Sequence, residues 1–146
     1  MDESKFTSHD RWPIWLWLFL LFLAGSLALA VEAALGNNLA LAIMLGQVIL
    51  LAWASISLTL EISVDDGFLY VGRATIERSF IASVTVLNSE EFSRIRARDA
   101  NPLCWMAIRF WVPTGVRIEI NDPRDPTPYW LVSTKKAAEL AAALNT

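Results

Sequence analysis

From Trp12 through Leu60 the chain runs 49 residues with no Lys or Arg and a single charged residue, Glu32. A small soluble domain cannot bury that much uninterrupted apolar sequence, so the stretch predicts a membrane hairpin. The chain is 55% hydrophobic, yet nearly all of its charge lies in the first eleven residues or beyond residue 60. An anchor and a water-facing domain therefore share one chain.

A helix of about 20 residues crosses a hydrocarbon core of roughly 30 Å. Within a membrane segment of residues 12–55, residues 12–34 and 37–55 each supply one crossing. Leu35-Gly36-Asn37-Asn38 is the expected turn, with Gly and Asn supplying the flexible backbone of a tight connection. Residues 1–11 read as a cytoplasmic tail. Lys5 and Arg11 precede the first helix, ten Lys or Arg follow the second, and the turn has none. The positive-inside rule then puts both termini of a multi-pass plasma-membrane protein in the cytoplasm. Trp12, Trp15, Trp17 and Trp53 would share the cytoplasmic interface as an aromatic belt. A lone Cys104 fits a reducing compartment. Ala28-Leu29-Ala30 has the form of a signal-peptidase site, but Asp2, Glu3 and Asp10 offset Lys5 and Arg11 and a second span follows at once, so a retained anchor is expected.

At Ile56 the periodicity changes. Ile56, Leu58, Leu60, Ile62 and Val64 alternate with Ser57, Thr59, Glu61 and Ser63, the period of a half-buried strand. The second helix is thus expected to pass directly into a domain of residues 56–146 held close to the bilayer. Asp66-Gly67 is a two-residue hairpin signal that pairs Val64 with Leu69 and Ile62 with Val71. Further strands are predicted over residues 73–78 and 83–88, with Ser89 capping a short helix whose first turn holds Glu90 and Glu91. Pro113-Thr114-Gly115 suits a three-residue hairpin loop. That register sets Val112 opposite Val116, Phe110 opposite Ile118, Trp111 opposite Arg117 and Arg109 opposite Glu119. Asp122 to Pro128 holds three prolines in seven residues, a stiff loop. Tyr129 to Ser133 form the last strand, and a helix over residues 134–144 presents Ala137, Leu140, Ala141 and Leu144 on one face. Seven short strands closed by an amphipathic helix predict an α+β membrane protein, a hairpin followed by a pleckstrin-homology (PH)-like barrel or sandwich.

The run Phe110-Trp111-Val112-Pro113-Thr114-Gly115-Val116-Arg117-Ile118-Glu119, then Asp122-Pro123-Arg124-Asp125-Pro126-Thr127-Pro128-Tyr129-Trp130-Leu131-Val132-Ser133-Thr134 and a basic pair, resembles the DUF3093 family of uncharacterised actinobacterial membrane proteins. The Trp-rich first helix, Glu32 at its far end and the strand leaving the second helix agree. Ala137 and Ala138 depart from the Pro and Glu expected after the basic pair, which removes a helix-start signal but no chemistry. The resemblance implies lineage and architecture, and brings no catalytic residues.

The residues offer little for catalysis. His9 is the only histidine and Cys104 the only cysteine, which excludes a His-based triad and a structural zinc or iron-sulfur centre held by this chain alone. Six scattered glycines form neither a dinucleotide fingerprint nor a P-loop. Asp65 with Asp66, Glu90 with Glu91, and Asp122 with Asp125 sit where turns and helix starts favour acids anyway. No catalytic residue, metal or cofactor is expected.

Four features carry what function is legible. Glu32 is either a hydrated carboxylate at the outer interface or the partner of a residue in another membrane subunit. Arg94, Arg96 and Arg98 are either a solvated edge or a contact for anionic lipid. Ser133-Thr134-Lys135-Lys136 places two lysines against the positive end of a helix dipole, and a bound anion would resolve that conflict. Ala24 with Ala28, Ser26 with Ala30, and Ala42 with Gly46 permit close helix contact, first within the hairpin. The leading expectation is a non-enzymatic accessory or scaffolding subunit that docks beside a membrane protein partner or another copy of itself. The alternative is a tethered module for anionic lipid headgroups or a phosphorylated ligand. The lipid bilayer is a partner in either case, and no nucleic acid is.

Overall fold

In a computed structural model that describes residues 6–145, the chain divides into two compact units, Met1–Asp10 with Leu60–Thr146, and Arg11–Thr59. Lys5, one of the residues that set the predicted orientation, lies outside the described residues.

The second unit is a helical hairpin. Helix α1 spans Ile14–Leu35 after an extended Pro13, and α2 spans Asn37–Ser57. At about 1.5 Å per residue each is about 32 Å long, enough to cross a bilayer core. The expected four-residue turn contracts to one residue. Gly36 takes φ 93°, open only to glycine at low cost, and donates its N–H to the Glu32 carbonyl at 3.1 Å. Asn37 and Asn38 are already helical. Leu16, Ala24, Ala28 and Ala40 are the buried residues of the two helices, so small side chains form their seam.

The strand expected from Ile56 starts later. Leu58 N–H donates to the Ala54 carbonyl at 2.9 Å, and the Thr59 hydroxyl to that of Ser55 at 2.7 Å. Helix hydrogen bonding thus extends over the first residues of the alternation, and Ile56 is 78% exposed while Leu60 is 4%. Leu58 and Thr59 alone connect α2 to the next strand.

The first unit holds two four-stranded sheets. Residues Phe6–Asp10, expected as a tail, form strand β1. It pairs antiparallel with β2, Leu60–Val64, in a register that sets Asp10 against Leu60 and Phe6 against Val64. Strands β3, Phe68–Val71, and β4, Ala74–Glu77, complete a sheet of order β1-β2-β3-β4. The Asp66-Gly67 turn has the predicted register, Val64 with Leu69 and Ile62 with Val71. Asp65 secures it, its Oδ1 accepting the N–H groups of Gly67 at 2.9 Å and Phe68 at 2.6 Å.

The second sheet, of order β5-β7-β8-β6, is non-sequential. Its strands are β5, Ile81–Leu87, β6, Trp105–Ala107, β7, Gly115–Ile120, and β8, Tyr129–Ser133. Strand β7 lies antiparallel between β5 and β8, and β6 runs parallel to β8. The hairpin predicted at Pro113-Thr114-Gly115 does not form. Residues 108–114 make an irregular loop in which Val112 N–H turns back to the Arg109 carbonyl at 3.0 Å. Strand β7 takes longer apolar partners on both sides instead. Arg117 lies over the Tyr129 ring, 4.3 Å from its centroid, and pairs with Glu119 at 3.2 Å. The expected kinds of contact occur, with other partners.

Apolar faces of both sheets meet in one core. Ile62, Val64, Leu69 and Val71 join Val116, Ile118 and Val132, and Leu140 of helix α4 (Ala137–Leu144) closes it. Residues 134–136, expected in that helix, precede it as a turn. Across β8, Leu131 and Tyr129 pack instead with Phe92 of helix α3, Ser89–Ala97. Strand β8 is covered on both faces, which is why all five of its residues are buried. Asn88, and not Ser89, caps α3: its Oδ1 accepts the Glu91 N–H at 2.9 Å while Glu91 Oε2 accepts the Asn88 N–H at 3.1 Å, a reciprocal capping box. Gly115 is required by close approach, because a Cβ there would overlap the Val132 carbonyl oxygen and the Phe92 ring.

Candidate functional site

Within the hairpin, the residues expected at membrane interfaces lie at helix ends. Trp12 and Trp17 stack obliquely, with ring centroids 5.7 Å apart, while Trp15 and Trp53 are 56% and 65% exposed. Glu32 is exposed and lines a groove between the helices with Gly25, Ala28, Asn37, Ala40 and Met44. Of the small-residue pairs, Ala24 with Ala28 is buried in the seam, while Ser26, Ala30, Ala42 and Gly46 face outward. Gln47 was not marked by any motif. It stands at the centre of α2 in a groove lined by Leu20, Leu23, Leu27, Leu50 and Leu51, and its buried Oε1 accepts no hydrogen bond. Polarity in the middle of an apolar helix was the signal that could have found it.

The Ser133-Thr134-Lys135-Lys136 turn is built differently from the expectation. Both hydroxyls are buried. Ser133 Oγ accepts the Arg109 N–H at 2.7 Å and donates to the Ala107 carbonyl at 3.3 Å. Thr134 Oγ1 accepts the Lys136 N–H at 3.2 Å. These groups hold the backbone, and both hydroxyls are engaged within the chain. An anion does occupy the turn, and it belongs to the chain: Asp10 Oδ1 accepts the Lys135 N–H at 3.4 Å. The conflict of two lysines with the helix dipole is eased by a carboxylate 125 residues away in sequence, which local patterning could not show. Lys135 and Lys136 remain exposed, with Lys136 Nζ 3.8 Å from Glu139.

Arg94 and Arg96 of α3 and Arg98 just after it do not converge. Arg94 and Arg98 flank a shallow groove with Ser89, Glu90 and Ser93, while Arg96 projects from another face, as helical spacing dictates. Arg94 also meets Asp99 at 4.0 Å. The carboxylates around the turns are engaged locally. Accepted backbone N–H groups of Gly67 and Phe68 hold Asp65 below the usual carboxylate range. Asp122 is held low by the Arg124 guanidinium, and Asp125 by the Thr127 hydroxyl and N–H. Among the described residues no three of His, Cys, Asp and Glu gather as a metal site. His9 lies on the exposed side of β1, not in a free tail.

The family model described as "Protein of unknown function (DUF3093)" matches residues 5–144, nearly the whole chain. No curated protein and no solved structure matches it.

Proposed function

The chain belongs to the DUF3093 family, and we propose that it is a non-enzymatic integral membrane protein, an accessory or scaffolding subunit that docks laterally in a larger membrane assembly. The hairpin spans the plasma membrane with both termini in the cytoplasm, and the β unit is a PH-like module held at the cytoplasmic surface. Two four-stranded sheets closed by the amphipathic α4 support the PH-like reading. Strand β1 and the parallel β6–β8 pair are additions to it.

The observation that carries this reading is the uncovered apolar surface of the hairpin. Phe22 is 71% exposed and Ile49 69%, and the buried seam is confined to four small or apolar residues. A helix of a soluble core would be mostly covered by its own chain, so lipid and a second membrane protein are the natural cover. Gln47 adds an amide that a neighbouring helix satisfies better than lipid does. Affinity purification from native membranes in mild detergent tests the proposal. A stoichiometric membrane partner or a homo-oligomer is expected, and recovery of a lone monomer overturns it. The alternative is a tethered module for anionic headgroups or a phosphorylated ligand, supported by exposed Lys135 and Lys136 and by Arg94, Arg96 and Arg98 at α3.

A further inference from the structure

Three backbone links gather separate segments at one end of the β unit. Arg109 N–H bonds Ser133 Oγ at 2.7 Å, Thr134 N–H bonds the Thr114 carbonyl at 3.0 Å, and Lys135 N–H bonds Asp10 Oδ1 at 3.4 Å. The 109–114 loop, the lysine turn and Asp10 are therefore neighbours. Asp10 and its register partner Leu60 are where the chain leaves this unit for α1 and returns from α2.

At the tip of that loop Phe110 is 66% exposed, although Trp111 beside it is 9% exposed and Val112 is fully buried. The Phe110 ring stands edge-on to Trp111, with centroids 4.8 Å apart. A buried pair thus braces an aromatic side chain in an outward position, where it has no core to enter. Exposed Lys135 and Lys136 follow on the adjoining turn. An apolar ring on a rigid tip beside cations is the chemistry of an interfacial lipid contact: the ring enters the headgroup–acyl boundary and the ammonium groups face phosphate.

We propose that the 109–113 loop is a membrane-contact wedge, with Phe110 inserted in the interface of the cytoplasmic leaflet and Lys135 and Lys136 beside anionic headgroups. The proposal rests on the reading that residues 14–57 span the bilayer. It commits to lipid as the occupant because the loop adjoins the strand ends that continue into the two apolar helices, and because the exposed side chains of the adjoining turn are Lys135 and Lys136, with Asp10 buried and Glu139 beside Lys136.

The test uses the full chain in lipid nanodiscs, with Cys104→Ser and an environment-sensitive fluorophore on one introduced cysteine at a time: F110C, N121C or L45C. Expected are blue-shifted emission at position 110, quenching there by a headgroup-region nitroxide lipid, water-like emission at 121, and deep quenching at 45. Water-like emission at 110 with deep quenching at 45 overturns the wedge and leaves the spanning hairpin standing. Absence of quenching at 45 overturns the spanning reading itself, and the wedge with it. On the unmodified chain, hydrogen exchange at residues 109–113 should slow as phosphatidylglycerol replaces phosphatidylcholine, and K135A/K136A should abolish that dependence. Equal exchange in both lipids overturns the role of the lysines.

Discussion

The two sheets of the β unit were specified in different ways. The first is a meander whose central turn, Asp65 to Phe68, joins strands that are neighbours both in sequence and in space. Turn chemistry then sets register, and Ile62 meets Val71 as alternation predicts. In the second sheet two of the three pairings pass over an intervening strand: β5 reaches β7 past α3 and β6, and β6 lies parallel to β8 past β7, while β7 and β8 alone are consecutive. A turn-like Pro113-Thr114-Gly115 between two apolar runs there serves a loop, because the runs are claimed by other partners. Turn motifs specify register only where the strands they join have no better partner farther along the chain.

That contrast can be pressed hardest at the helix covering the second sheet. Phe92 is 1% exposed and fills the space between α3 and β8, so Phe92→Ala should cost about 4 kcal/mol. Chemical denaturation in detergent checks it, and a loss under about 1 kcal/mol would mean that the outer cover is dispensable. Gly115→Ala should follow at about 2–3 kcal/mol, since the added methyl meets a backbone carbonyl that cannot swing aside. The same substitution at Gly67, where an added Cβ meets nothing within 4 Å, should be much milder, and comparable losses would erase the distinction drawn between the sheets.

Next in size is the tie between the first sheet and α4. Arg78 donates from Nη2 to the Ala143 and Leu144 carbonyls, both at 3.1 Å, and from Nη1 to the Asp65 carbonyl at 3.3 Å. A cation here caps the negative end of a helix. Arg78→Ala should cost about 1–2 kcal/mol, read as faster amide exchange in α4 than in α3. The smallest effect concerns pH. Because folding depresses the Asp65 pKa, its stabilisation is complete above the unfolded value of about 4 and is lost as pH falls through the lower folded value. Between pH 5 and 3 the thermal midpoint should fall more for the wild type than for Asp65→Asn, and parallel curves would refute the role given to this turn.

What could be read from the residues follows the same division. The hairpin was legible because composition alone defines it, and its second helix runs two residues past the expected end because Ile56 and Leu58 satisfy both a helix and an alternating strand. Strand β1 escaped notice because Phe6-Thr7-Ser8-His9-Asp10 contains one large apolar residue and owes its conformation to β2. Lys135 and Lys136 were found as an electrostatic anomaly, but Asp10, which answers it, lies at the other end of the chain. Phe110 is exposed because the strand expected to set it opposite Ile118 does not form, Ile118 pairing with Val84 and Trp130 instead.

The pairing of Asp10 with Leu60 makes the hairpin an insertion within the β unit and not a leader in front of it. During synthesis β1 emerges first and has no partner until the 49 residues from Trp12 through Leu60 have followed. At about 5–20 residues per second that delay is about 2–10 s. Over that interval the segment is an unpaired edge strand, open to pairing elsewhere. Closing the first sheet is thus a late event, completed only on chains whose whole helical hairpin has already been made.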